Sequence, residues 1–199
     1  MQGIAALEKR LWEAADQLRA NSKLTQTEYS MPVLGLIFLR YAYNRFLLVE
    51  KEIIKNLPSR GGKIRKITKE DYKGKAALYL PEKSRYDYLI NLPQGEDAPQ
   101  AVNDAMEAIE EVNETLLGVL PKDYQIFDSD LLNRLLKIYN DQALQNATGD
   151  VFGQIYEYFL MKFAMEGAGE KGEFFTPSSL VQTIVNVIEP NRGIVLDPA

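Results

Sequence analysis

The stretch from Met31 to Val49 most limits what this chain can fold into. From Val33 onward it reads VLGLIFLRYAYNRFLLVEKEII and is apolar nearly all round in its first half. A helix with no face to give to water belongs in the middle of a bundle. Arg40, Asn44 and Arg45 interrupt the run and argue against a membrane span. Ser30 offers an N-cap, with Pro32 inside the first turn.

The rest of the chain is patterned to surround such a helix. Ile4, Leu7, Leu11, Ala14 and Leu18 recur in steps of three and four and form one helical face ahead of Asn21-Ser22. Trp12 reads as a core or helix-docking residue. Val102, Ala105, Met106, Ile109, Val112 and Leu116 line another helix. Leu131, Leu132, Leu135, Leu136 and Tyr139 mark a fourth, opened by Asp128-Ser129, and Phe152, Ile155, Tyr156, Phe159, Leu160 and Phe163 a fifth. Tyr156 and Tyr158 read as packing residues of that helix, and Glu110, Glu111 and Asp128 to Asp130 as solvated positions. Arg85 to Leu92 suits a short helix, and Ala76 to Leu80 a strand or an extended packing segment. The body over 1–168 is therefore expected to be a helical bundle.

The residue inventory narrows the chemistry. Among 199 residues there is no cysteine and no histidine. Disulfides, zinc sites built on either residue, and serine–histidine or cysteine–histidine catalysis are excluded. Carboxylates alone could still hold magnesium or calcium. Zero cysteine suits a reducing cytoplasmic setting. The N-terminus carries charges every few residues and lacks the apolar core of a signal peptide.

Net charge is −5, but it is unevenly spread. Between Lys55 and Lys75 lie Lys55, Arg60, Lys63, Arg65, Lys66, Lys69, Lys73 and Lys75 against Glu70 and Asp71, so that segment is +6 and the remainder −11. Pro58, Gly61 and Gly62 break any helix there, which reads as an exposed arm or irregular loop. Such a reversal points to a polyanion contact or to a solvated surface loop.

After Phe163 the pattern changes again. AMEGAGEKGE reads as a glycine-rich connector, followed by FFTPSSLVQTIVNVIEP, a helix with Leu180, Val181, Ile184, Val185 and Ile188 on one side. Thr176 stands at the N-cap position and Pro177 at the first helical position. Pro190 to Gly193 closes that helix, and IVLDPA starts like a buried strand. Residues 169–199 therefore read as the first helix and strand of an α/β domain, truncated one strand in. In open α/β folds ligands bind beyond the C-terminal ends of strands, where Asp197 would sit. Thr176-Pro177 at a helix N-terminus suits a carboxylate, and Phe174 and Phe175 suit an apolar or adenine-like surface. The same residues read equally as two core phenylalanines, a cap and a turn aspartate.

The run from Gly153 to Ala199 resembles the modification subunits of type I restriction–modification systems, which are adenine-specific DNA methyltransferases. The matching residues are Tyr156 to Leu160, Gly172 to Pro177, and Asp197, Pro198 and Ala199. Upstream, Leu36 to Tyr41 and Leu80 to Tyr86 are similar to further family segments. The resemblance implies a Rossmann-like methyltransferase domain beginning near residue 169, with Glu173, Phe174, Phe175, Thr176, Pro177, Ser178 and Asp197 at the edge of an S-adenosyl-L-methionine pocket. Phe175 stands where the family often carries Tyr. No Asn-Pro-Pro, the family's catalytic motif, occurs in this sequence. The resemblance thus implies an inactive fragment of an enzyme that methylates adenine.

It also implies that the helical body clamps double-stranded DNA and senses its methylation state. The implied protein partners are a DNA-specificity subunit, a second modification subunit and a restriction subunit, with no membrane and a cytoplasmic location. Lys63, Arg65, Lys66 and Lys69 are the candidate phosphate contacts. The competing expectation is a helical interaction or scaffold module that never meets DNA.

Overall fold

The structure is a computed structural model that describes residues 2–57, 65–93, 95–147, 149–171, 176, 178–193 and 196. Within them the chain is helical and contains no strand. The helices are α1 (Gln2–Ala20), α2 (Gln26–Asn56), α3 (Tyr86–Ile90), α4 (Ala98–Val112), α5 (Ser129–Tyr139), α6 (Gln142–Gln145), α7 (Gly149–Lys171) and α8 (Ser178–Ile188). The helical body is as expected. The strand proposed for IVLDPA lies almost wholly outside the described residues, and Leu196, the one residue of it described, is in no strand.

The long apolar helix is the axis of the bundle. α2 packs against α7, α5, α6 and α3. Six consecutive residues, Pro32 to Ile37, are buried, which covers every side of the helix over more than one turn. It is long and apolar enough to cross a membrane, yet 72% of its most apolar stretch is covered by the rest of the protein. Each large side chain sealed in this way contributes about 1.5–3 kcal/mol. Gly35 is needed for one of these contacts, because a Cβ there would overlap the Tyr124 hydroxyl and stand 2.5 Å from Pro121 Cγ.

α2 starts earlier than Ser30. Its N-cap is Thr25, whose Oγ1 accepts from the Glu28 N–H while the Glu28 carboxylate accepts from the Thr25 N–H at 2.9 Å. This reciprocal box satisfies two donors at once and outweighs a lone serine cap. Pro32 consequently lies in the helix interior, where it removes one ladder hydrogen bond. The Tyr124 hydroxyl donates to the Pro32 carbonyl at 2.9 Å and ties that weak point to the core.

Two of the three interrupting polar residues of α2, Arg40 and Asn44, point inward. Arg40 and Asn44 are 4% and 7% exposed. Arg40 donates to Asn44 Oδ1 at 2.6 Å and to Asn140 Oδ1 at 3.0 Å, and its guanidinium lies 5.0 Å from the Tyr86 ring. Asn44 Nδ2 donates to the Leu144 carbonyl at 2.8 Å. A buried charge costs several kcal/mol unless it is hydrogen-bonded, and these partners are what make the position tolerable. The same bonds fix the end of α5 and all of α6 against α2.

Aromatic contacts close the bundle. Trp12 of α1 packs edge-on against Phe159 and Phe163 of α7, at 5.3 and 5.0 Å between centroids. Tyr29 donates to the Ala15 carbonyl at 2.8 Å, linking α2 to α1. Asp97, Asp128 and Asp141 cap α4, α5 and α6 through side-chain acceptance of a backbone N–H. Ala76 to Leu80 is neither helix nor strand: it bends at Ala76 and Ala77 and ends in fully buried Leu80. Leu116 belongs to a separate turn beyond α4. The expected connector after Phe163 continues as helix through Lys171. The ladder that α7 has already built propagates at one hydrogen bond per residue, which outweighs the glycine cost of about 1 kcal/mol each.

Glu110 departs from the expectation of a solvated position. It is 5% exposed, on the face of α4 turned toward the loop over 113–122. Its carboxylate accepts from the Gly118 and Leu120 N–H groups at 3.0 and 2.8 Å and from Lys122 Nζ at 2.6 Å. Periodicity marked it as polar and could not show that its loop would fold over it. The Lys122 ammonium and the two backbone donors, working against burial, bring its pKa down to about 2. In the unfolded chain it returns to about 4.3. Its stabilisation is therefore complete above that value and disappears as pH falls toward 2. In urea unfolding across this window, Glu110→Gln is expected to show a shallower loss of stability with acid than the wild type.

Candidate nucleic-acid interface

The basic segment begins where α2 ends. Asn56 is the last residue of that helix, and residues 65–75 return along it as irregular chain with one 3-10 turn, Lys69–Tyr72. Two features dock it. Tyr72, 4% exposed, stacks on Phe46 of α2 with ring planes 1° apart and centroids at 5.2 Å. Tyr79 meets both rings edge-on, at 5.6 and 6.3 Å. Lys75 Nζ bonds Glu52 of α2 at 2.6 Å. Burial pushes the Tyr72 hydroxyl well above its ordinary range, so the ring stays neutral. The exposed-arm expectation is thus modified over 65–75: most of the segment is exposed, but Ile67 packs against the core and Tyr72 and Lys75 hold its foot.

The candidate phosphate contacts differ from one another. Lys63 lies outside the described residues. Lys66 and Lys69 are exposed, and among the described residues neither has a carboxylate within 4.0 Å. Arg65 forms a two-pronged pair with Asp71, one prong at 2.7 Å. That contact holds the Asp71 carboxyl well below the usual carboxylate range. Lys73 is paired with Glu70 at 2.7 Å. Sequence reasoning counted charges and could not see which were already spoken for within the segment.

The candidate cofactor edge is only partly described. Glu173, Phe174, Phe175, Pro177 and Asp197 lie outside the described residues. Thr176 is exposed, and Ser178 is the first residue of α8, placed two residues beyond the expected cap. The leading N–H groups of an α-helix have no intrahelical partner. Along α8 the predicted face is open: Leu180, Val181, Ile184, Val185 and Ile188 are 42–66% exposed. Among the described residues no group of acidic side chains is arranged to hold a metal ion.

The HsdM N-terminal domain family matches residues 7–139, and the N-6 DNA Methylase family matches residues 147–199. The chain belongs to the HsdM family of type I restriction enzyme methylase subunits. The MjaIX methylase subunit of Methanocaldococcus jannaschii is 35% identical over 209 residues, covering 96% of this chain and 37% of that protein. The HindI methylase subunit of Haemophilus influenzae is 36% identical over 109 residues, with 49% and 25% covered. The EcoKI methylase subunit of Escherichia coli is 30% identical over 137 residues, with 63% and 25% covered. This HsdM-family chain therefore spans between a quarter and little more than a third of those relatives. The methylase match takes in α7 as well as α8.

The foot of the basic segment is testable apart from any ligand. Tyr72→Ala deletes the stack on Phe46, and large aromatic deletions in a core cost about 3–5 kcal/mol. Hydrogen exchange over 65–75 is expected to rise in that variant more than exchange at the centre of α2.

Proposed function

We propose that residues 1–199 form the DNA-clamping and assembly region of an adenine-specific DNA methyltransferase subunit, with the edge of its S-adenosyl-L-methionine site at the C-terminal end. The observation that carries this reading is the succession of the two family matches in one chain. Residues 1–168 are the helical domain, and the methyltransferase domain opens near residue 169. The helical domain meets double-stranded DNA, responds to its methylation state, and contacts a specificity subunit, a second modification subunit and the restriction subunit. The setting is cytoplasmic.

Lys63, Arg65, Lys66 and Lys69 form the basic strip that faces the phosphate backbone. Lysine and arginine at phosphates position a protein without reading bases, which suits a chain whose sequence reading is done by a different subunit. The docked foot at Tyr72 supports this, because the part of the strip over 65–69, next to that anchor, loses less conformational entropy on binding.

At the other end, the reading of a site for a carboxylate-bearing ligand is supported by Thr176 and the start of α8. Thr176 is exposed beside the free N–H groups of α8. The Thr176-Pro177 start of α8 would hold the carboxylate, with Glu173 and Ser178 as further residues of the pocket edge. Phe174 and Phe175 cover the adenine ring and exclude water, and Asp197 accepts from the ligand's ammonium or hydroxyl groups. S-adenosyl-L-methionine supplies an electrophilic methyl when bound. The target adenine is flipped out of the duplex to reach it, and the gain comes from orientation and fixed electrostatics. The open apolar face of α8 suits packing against a sheet of that domain.

Two experiments test the reading. Alanine at Lys63, Arg65, Lys66 and Lys69 together, in the assembled full-length enzyme, is expected to weaken DNA binding and flatten its salt dependence. Unchanged affinity and slope would favour a scaffold that never meets DNA. Residues 1–199 alone lack Asn-Pro-Pro. They are expected to transfer no methyl group and to show no micromolar uptake of S-adenosyl-L-methionine in a calorimetric titration.

A further inference from the structure

We propose that Arg65 acts as the positioning residue of the basic strip, a clasp that presents Lys66 and Lys69, and that it makes no phosphate contact of its own. This assignment rests on the reading of the strip as DNA-facing.

The geometry separates Arg65 from its neighbours. Both ends of its guanidinium are taken up by Asp71: Nη1 donates to Oδ2 at 2.7 Å and Nη2 to Oδ1. Nη1 also donates to the Lys66 carbonyl at 3.2 Å. Asp71 is occupied in turn, since its Oδ2 accepts from the Thr68 N–H at 2.8 Å and from the Thr68 hydroxyl at 3.2 Å. The loop from Arg65 to Asp71 is therefore closed on itself. An isolated exposed ion pair contributes little, but a two-pronged pair to a carboxylate held by further donors is the geometry in which such pairs count.

The clasp is anchored. Asp71 is 14% exposed at its side chain, against 54% for Arg65. The next residue, Tyr72, is the ring stacked on Phe46. What the loop displays is Lys66, directly after Arg65, and Lys69, the first residue of the turn whose N–H donor Thr68 supplies to Asp71. Both lysines are free of carboxylates among the described residues. For Arg65 to present the two-pronged face of its fork to a phosphate it would have to leave Asp71. Lys66 and Lys69 have no such partner to leave among the described residues.

The test uses the full-length subunit in its assembled methyltransferase, with duplex DNA over a KCl series. Lys66→Ala and Lys69→Ala are each expected to lower the slope of log affinity against log salt by about 1. Arg65→Ala and Arg65→Lys are both expected to weaken binding several-fold with the slope kept, because lysine retains the charge and loses the fork. Amide exchange at Thr68 in DNA-free protein is expected to quicken in both Arg65 variants and in Asp71→Ala. An Arg65→Lys variant that binds like wild type, while Arg65→Ala lowers the slope by about 1, makes Arg65 a phosphate ligand and overturns the assignment. So do Arg65 variants that change neither binding nor exchange. Lysine variants without effect would instead reject the DNA-facing reading, and this assignment with it.

Discussion

The helical bundle is arranged around the burial of one helix whose first half has no polar face. α2 is covered on every side over Pro32 to Ile37, and that requirement calls up α7, α5, α6 and α3 as its walls. The helix carries a charge into the interior as well, and the charge decides details that apolar packing would leave open. Arg40 needs Asn44, Asn140 and the Tyr86 ring, and Asn44 in turn needs the Leu144 carbonyl. Hydrophobic contact alone would allow α6 to slide; these directional bonds hold it in place.

The same helix positions the basic strip. Buried Phe46 and exposed Glu52 lie on the second half of α2, and they receive Tyr72 and Lys75. A segment with this much charge and glycine would be mobile on composition alone. Over the described residues 65–75 a buried aromatic ring and one ion pair hold it against α2.

The helices were legible because their apolar residues repeat at three and four, and the bundle body follows from that pattern. Asp128 was legible as the opening of α5 because an aspartate ahead of an apolar run is a local signal. Three features were not. The start of α2 was assigned to Ser30 although Thr25 and Glu28 form the stronger reciprocal box, and a single-residue signal hid a two-residue one. Glu110 looked solvated because its partners lie eight to twelve residues away in a loop without periodicity. α7 ran past the predicted connector because helix propagation outlasts a few glycines. The basic strip was found by charge, but its division into paired and free cations depends on side-chain geometry that no spacing rule encodes. The residues of the cofactor edge were located by motif, and most of them lie outside the described residues.

The central claim is that this HsdM-family chain presents an ordered cationic edge, anchored on α2, to DNA. Its most direct test is the acetylation rate of individual lysines in the assembled full-length enzyme, with and without duplex DNA. The account predicts that Lys66 and Lys69 become shielded when DNA is added, while Lys9 and Lys51, elsewhere on the surface, react as before. Equal reactivity of Lys66 and Lys69 in the two conditions would contradict it.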